Sequence, residues 1–204
     1  IEQMEALAKK KNRTPREQKK YEELFAQYGE KRDSNDKKLV DIDAHPGVYL
    51  PEAEDFDKNV TIRQMLYHIS GLPDFNQTAK FEQKYKTGLS FELRDHLKEL
   101  TNYPLVFEPA TRGMYANINF IIPALIIENV SCMSYSDYME IEVFEPLGMK
   151  SAMVDSENLI LEKRVTGYEL TDDNKIVEID RMLNWAYGAA DIIGTVDDVY
   201  CLNN

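Results

Sequence analysis

The chain is poor in the residues from which several common functional sites are built. Its 204 residues include only 2 cysteines, Cys132 and Cys201, and 3 histidines. Two thiols supply no disulfide framework and read as ordinary free cysteines. His45, His68 and His96 are widely spaced and form no H-E-x-x-H or C-x-x-C set, so no metal site and no cofactor is expected. A glycine-rich phosphate loop is also missing, which removes the usual nucleotide signature. The longest apolar run, Phe120 to Ile127, covers eight positions and contains Pro123, well short of the roughly twenty residues of a membrane-spanning helix. The opening stretch IEQMEALAKKK lacks the basic, apolar, small-residue order of an export signal.

Positive charge is also scarce: 24 basic against 36 acidic side chains leave a net charge of −12. A nucleic-acid binder normally gains affinity from a basic face, so no nucleic-acid partner is expected. The imbalance is uneven. Residues 1–38 hold 11 Lys/Arg and 8 Asp/Glu, a net of +3, whereas residues 39–204 hold 13 and 28, a net of −15. Residues 1–38 therefore read as a polar, basic helical segment, and 39–204 as the domain proper. KKKNRTPREQKK carries the charge of a polyanion-binding arm, but a solvated helical face is the reading its composition favours. With 43% hydrophobic and 29% charged residues in 23.6 kDa, the composition is that of one globular domain.

Glu17 to Lys31 has a narrow stripe of Tyr21, Leu24, Phe25 and Tyr28 and reads as a polar helix. LVDIDAHPGVYLPE, interrupted by Pro46, Gly47 and Pro51, suits a compact irregular segment. A capped helix begins at Thr61, with Ile62, Met65, Leu66 and Ile69 as its apolar stripe and Gly71 as its closing residue. His68, beside that stripe, is expected to be packed and hydrogen-bonded. A second helix follows Ser90, with Leu93, Leu97 and Leu100 on one face. A third, about Phe120 to Val130, is apolar on most sides and should be central; if it starts at Asn117, a kink is expected at Pro123. Ser134 and Asp137 cap a fourth helix, which Pro146 and Gly148 stop. RVTGYEL, a TDDN turn and KIVEID read as a β-hairpin near 164–180, and Thr195 with Asp198 caps a last short helix.

The most informative stretches are VTIRQMLYHISGLPDF (60–75), FEPATRGMYANINFIIPALIIENVS (107–131) and FEPLGM (144–149). In this order they resemble the β-lactamase-like serine hydrolases, the family of class C β-lactamases, low-molecular-weight penicillin-binding proteins, D-amino-acid peptidases and related esterases. KKLVDIDAHPGVYLPE resembles the segment after that family's nucleophile helix, and GAADIIGTVDDVY its later glycine-rich turn and helix. The resemblance covers about residues 37–200.

The resemblance implies three boxes. An S-x-x-K supplies the nucleophilic serine and a lysine one helical turn on. A Y-x-N supplies a phenol that exchanges protons with the serine and the leaving group, and an asparagine that binds the substrate amide. A late K-T-G or H-x-G lines the substrate-facing strand. A phenol ionises near ~10 in isolation, so it serves as a base only when neighbouring cations stabilise its phenolate. The middle box is present as Tyr115-Ala116-Asn117, with Tyr115 the implied catalytic residue and Asn117 the implied substrate-binding residue. The residue-level alternative is a packed tyrosine followed by a helix-capping asparagine. Ala110 departs from the family, which usually has glycine after the proline.

The first box is not identifiable. Only Ser34 has a lysine three residues later, Lys37, and this pair lies in the polar stretch KRDSNDKK with no apolar helix around it. Where the nucleophile should fall, the sequence reads REQKKYEE. Lys86-Thr87-Gly88 spells K-T-G but precedes the Y-x-N, and Gly88 reads as a helix C-cap. Ser70, in HISGLP, has no strand–turn–helix elbow around it and is read as a turn residue rather than a nucleophile.

The implied fold is α+β, of the β-lactamase/transpeptidase type, with this chain forming mostly the helical lobe and a small hairpin. The implied function is acyl transfer on β-lactams, D-amino-acid peptides or small esters in the full-length case, with a small-molecule or peptidoglycan-like substrate as partner. The alternative is a non-catalytic relative, or a fragment, acting as a binding domain. Members of the family usually work outside the cytoplasm.

Overall fold

A computed structural model describes residues 14–16, 19–20, 40–74, 78, 93–156, 159–161, 164–178 and 187–202. The expected helix over 17–31, the Ser34/Lys37 pair and Lys86-Thr87-Gly88 lie wholly or largely outside them. Pro46 and Pro51 each open a 3-10 turn, Pro46–Val48 and Pro51–Ala53, where a missing N–H costs nothing. This agrees with the compact irregular segment expected there.

Helix α1 (Ile62–Leu66) starts with a full capping box: Thr61 Oγ1 accepts from the Gln64 N–H at 3.2 Å, and Gln64 Oε1 accepts from the Thr61 N–H at 2.9 Å. It is shorter than its apolar stripe implied. Tyr67 ends it, and His68, not Gly71, takes the first left-handed conformation at φ 57°. Helix α2 (Leu93–Leu100) buries Leu97 and Leu100. Helix α3 (Ile118–Ser131) starts two residues before its expected onset and buries Ile118, Ile121, Ile122, Leu125 and Ile126, with Phe120 as its exposed position. Asn117 is its N-cap residue, and Pro123 lies inside it beyond the first turn.

Left-handed Cys132, at φ 55°, closes α3, and the chain turns by 85° into the next helical segment. That segment is α4 (Tyr135–Met139), a π-helical turn (Glu140–Phe144) and α5 (Glu145–Leu147). Ser134 caps it by accepting from the Asp137 N–H at 3.0 Å. Gly148 ends it in the left-handed conformation, whereas Pro146 sits in the first turn of α5 and is not the stop.

Among the described residues, four short strands form two antiparallel pairs. β1 (Met153–Val154) pairs with β4 (Ile192–Ile193) in the register Met153 to Ile193, and β2 (Tyr168–Leu170) pairs with β3 (Ile176–Glu178) in the register Tyr168 to Glu178. The second pair is the expected hairpin. The first pair was not legible, because two-residue strands carry no alternation to read. Helix α6 (Val196–Leu202) begins with the expected reciprocal cap, Thr195 Oγ1 accepting from the Asp198 N–H and Asp198 Oδ2 from the Thr195 N–H at 2.7 Å.

The main core gathers around α3: Leu50, Phe56, Val60, Met65, Leu72, Leu97 and Leu100 pack with its isoleucines. A smaller cluster joins Phe144, Met149 and Ala152. Gly188 is required where its turn meets α3, since a Cβ there would lie 2.4 Å from Ala124 Cβ at φ 71°. Among the described residues, no single helix is long and apolar enough to cross a membrane.

Candidate active site

The site begins with backbone. After α1 the turn His68–Gly71 runs beside the loop at 106–114. Met114 N–H donates to the His68 carbonyl at 2.9 Å, Ala110 N–H to that of Ile69 at 2.8 Å, and Val106 N–H to that of Gly71 at 2.8 Å. Gly71 is needed at this approach, because a Cβ would meet the Phe107 carbonyl oxygen at 2.0 Å. Ala110 holds φ 64°, a conformation that suits glycine, at the position where the sequence departs from the family pattern. The lacing delivers Tyr115 and Asn117 to the N-terminal end of α3, directly against His68 and Asp74.

Two hydrogen-bonded chains meet there. In the first, Asp74 Oδ2 accepts from both the backbone N–H of Asn117, at 2.9 Å, and its side-chain Nδ2, at 2.8 Å. The Tyr115 hydroxyl then donates to Asn117 Oδ1 at 3.1 Å. In the second, Ser70 Oγ accepts from the Leu72 N–H at 3.2 Å and donates to Asn119 Oδ1 at 2.6 Å. The Asn119 amide lies 3.1 Å from His68 Nδ1, which also receives the Ala116 N–H at 3.4 Å. A backbone N–H can only donate, so Nδ1 is the acceptor and the ring proton belongs on Nε2. The His68 ring then packs on Tyr115 at 4.7 Å and on Phe120 at 5.2 Å between centroids.

Burial divides these groups by role. Ser70, Asp74 and Asn119 are buried, whereas Tyr115 is 63% exposed. A hydroxyl sealed from solvent and bonded on both sides cannot reach a substrate, so Ser70 shapes the turn in this structure. Of the packed-tyrosine and capping-asparagine alternative, the structure keeps Asn117 at the N-cap position of α3 but without a side-chain cap bond, and it leaves Tyr115 outside the core. Two tyrosines near the C-terminal end of α3 ionise less readily than an ordinary phenol. Burial and the nearby Asp191 push Tyr135 up to about 12, and burial followed by the Glu128 carboxylate pushes Tyr187 well up.

Sequence reasoning singled out Tyr115 and Asn117, which the structure brings within hydrogen-bond distance of each other, and it expected His68 to be packed and hydrogen-bonded, as it is. It missed Asp74 and Asn119. Asn119 left a faint signal, a polar residue inside an otherwise apolar helix. Asp74 left none, because its partner lies 43 positions away. Among the described residues, no ion pair or hydrogen bond joins Tyr115 to a lysine or arginine.

Comparison with known proteins gives the family and the fold. The family model described as Beta-lactamase matches residues 33–200. Penicillin-binding protein 4* of Bacillus subtilis is 36% identical over 110 residues, which span 52% of this chain and 24% of that protein. The crystal structure of a D-stereospecific amidohydrolase from a Streptomyces species superposes with a TM-score of 0.70 at 19% identity, covering 82% of this chain and 53% of the other. A penicillin-binding protein from Bacillus halodurans superposes at 0.61 with 26% identity, covering 80% and 52%. The chain thus spans about a quarter of the B. subtilis relative it matches and about half of each of these solved structures.

Proposed function

The chain belongs to the β-lactamase family, and on that premise we propose that Tyr115 and Asn117 are the proton-shuttle and amide-binding part of an acyl-transfer site. The observation that carries this reading is an exposed phenol whose hydroxyl lies 3.1 Å from the Asn117 amide oxygen at the mouth of a buried helix. In the full-length protein the serine of an S-x-x-K attacks the carbonyl carbon of a β-lactam, a D-amino-acid peptide or a small ester. Tyr115 takes the serine proton and returns it to the leaving amine or alcohol as the carbonyl–nitrogen or carbonyl–oxygen bond breaks. Water then releases the acyl group by the reverse proton path. Asn117 has a second side-chain N–H, beyond the one given to Asp74, to offer a substrate carbonyl. The lysines of the first and third boxes supply the cations a tyrosinate needs.

Residues 1–38 form a separate basic segment in this reading, and the substrate is small or peptidoglycan-like. Tyr115→Phe in the full-length protein tests it: turnover falls roughly 10²–10⁴-fold, the usual worth of a general acid–base group, with substrate binding little changed. Full activity would place the base elsewhere.

One observation favours a second reading, a non-catalytic relative that binds rather than reacts: REQKKYEE stands where the nucleophile is expected. Coding sequence beyond both ends separates the two. An in-frame upstream S-x-x-K and downstream K-T-G or H-x-G supports the enzyme. For the present chain alone, intact-mass spectrometry after exposure to a penicillin, and separately to a fluorophosphonate, is expected to show no stoichiometric adduct. Specific labelling of Ser34 would make Ser34/Lys37 the working pair.

A further inference from the structure

We propose that Asp74 is a positioning residue that fixes which way the Asn117 amide points, and through it the donor role of the Tyr115 hydroxyl; the inference rests on Tyr115 and Asn117 being the working groups. Asp74 is 3% exposed and follows Pro73 at the end of the HISGLP turn. One of its oxygens, Oδ2, receives two N–H groups from the same residue, the backbone and the side chain of Asn117, at 2.9 and 2.8 Å. The other, Oδ1, is buried and has no hydrogen-bond partner among the described residues. A carboxylate in that position is not there to satisfy all its own valences.

Its chemistry explains what it does there. An ionised carboxylate only accepts, whereas an asparagine amide has a donor end and an acceptor end that differ little in shape. Facing Asp74, Asn117 must present its NH2 group, since its oxygen would meet another oxygen. The amide oxygen is therefore turned toward Tyr115, and in the neutral phenol, the form that precedes the tyrosinate of the acyl-transfer step, the hydroxyl at 3.1 Å donates to it. The tyrosine lone pairs are left facing away from Asn117. A neutral amide or hydroxyl at position 74 would permit both amide orientations, and with them both roles for the phenol. The backbone bond to Oδ2 adds a second restraint by tying the first residue of the α3 cap to the turn.

The test is an NMR measurement on the chain as it exists, with labelled asparagine and tyrosine. In Asp74→Ala, the backbone and side-chain amide protons of Asn117 are expected to lose protection from exchange roughly tenfold or more, the worth of a charged hydrogen bond, and the Tyr115 ring resonances to shift. Leu97→Ala, a core cavity on α2, serves as the control for general loosening and leaves Tyr115 in place. Unchanged Asn117 exchange and Tyr115 resonances in Asp74→Ala would overturn the proposal.

A charge exchange covers the case in which Asp74→Ala does not fold. Asn117→Asp sets two carboxylates against each other and lowers the melting temperature. Adding Asp74→Asn restores an N–H facing a carboxylate and recovers most of the loss. A double variant no more stable than Asn117→Asp alone would overturn the pairing. None of these readouts uses turnover, so their failure leaves the proton-shuttle reading standing, and an unaffected turnover in Tyr115→Phe leaves the pairing standing.

Discussion

The N-terminal end of α3 and the β2–β3 hairpin invert the usual relation between polarity and burial in opposite ways. At the helix end, Ser70, Asp74 and Asn119 are buried among apolar neighbours. In the hairpin, Tyr168, Leu170 and Ile176 face solvent, with Ile176 74% exposed. The buried polar groups survive because each finds a partner far along the chain: 43 positions separate Asp74 from Asn117, and 49 separate Ser70 from Asn119. The hairpin is specified within a few residues. Thr171 Oγ1 accepts from the Lys175 N–H at 3.1 Å, and left-handed Asn174 at φ 59° completes the turn. Long-range complementarity holds the site, whereas local turn chemistry holds the hairpin.

The sharpest way to break the site region without touching the hairpin is Gly71→Ala. The new Cβ would meet the Phe107 carbonyl at 2.0 Å on a backbone at φ 75°, so a loss of about 3–5 kcal/mol is expected in denaturant unfolding. A loss below about 1 kcal/mol would mean that the turn and the 106–114 loop are not locked together.

A matched pair of truncations measures the two regions directly. Ile122→Ala in the buried heart of α3 should cost about 3–4 kcal/mol, while Ile176→Ala in the hairpin should cost less than about 0.5 kcal/mol. Similar losses at the two positions would mean that a surface covers the hairpin in solution.

A gain is expected at Ala110. Its φ of 64° costs Ala more than Gly, while Gly is more flexible when unfolded, so Ala110→Gly should stabilise by about 0.5–1 kcal/mol. Destabilisation there would show that the methyl group packs against the turn.

The smallest effect is at the last helix. The Thr195 hydroxyl, with backbone N–H groups of Thr195, Ser151 and Ala152, holds the Asp198 carboxyl below its ordinary 3.8. A depressed folded value stabilises above the unfolded one, and that contribution is lost as pH falls through the folded value. Exchange protection in α6 should therefore drop below about pH 4 in the wild type, and this acid step should be absent in Asp198→Asn. Persistence of the step in the variant would assign it to another carboxylate.

What could be read in advance follows the range over which each feature is encoded. The α1 cap, the Ser134 and Thr195 caps and the hairpin each depend on residues within one or two turns, and all were legible. The Tyr115-Ala116-Asn117 box was found through its resemblance to a family motif, since its spacing alone fits a packed tyrosine and a capping asparagine equally well. The end of α1 was misjudged because His68 enters the left-handed region to give its carbonyl and Nδ1 to the 110–116 stretch, a demand that Gly71 concealed.

By itself the amino-acid sequence determined the caps of α1, α4 and α6, the burial of α3 and the hairpin, because hydrophobic period and capping chemistry act over a few residues; the phenol–amide pair came from the resemblance of its motif to a family. Only the tertiary structure decided that Asp74 grips Asn117, that Asn119 orients His68 beneath Tyr115, and that β1 pairs with β4. Hydrogen bonds require donor and acceptor to meet within about 3 Å, and no one-dimensional pattern records which distant residues the packing of α3 brings to that distance.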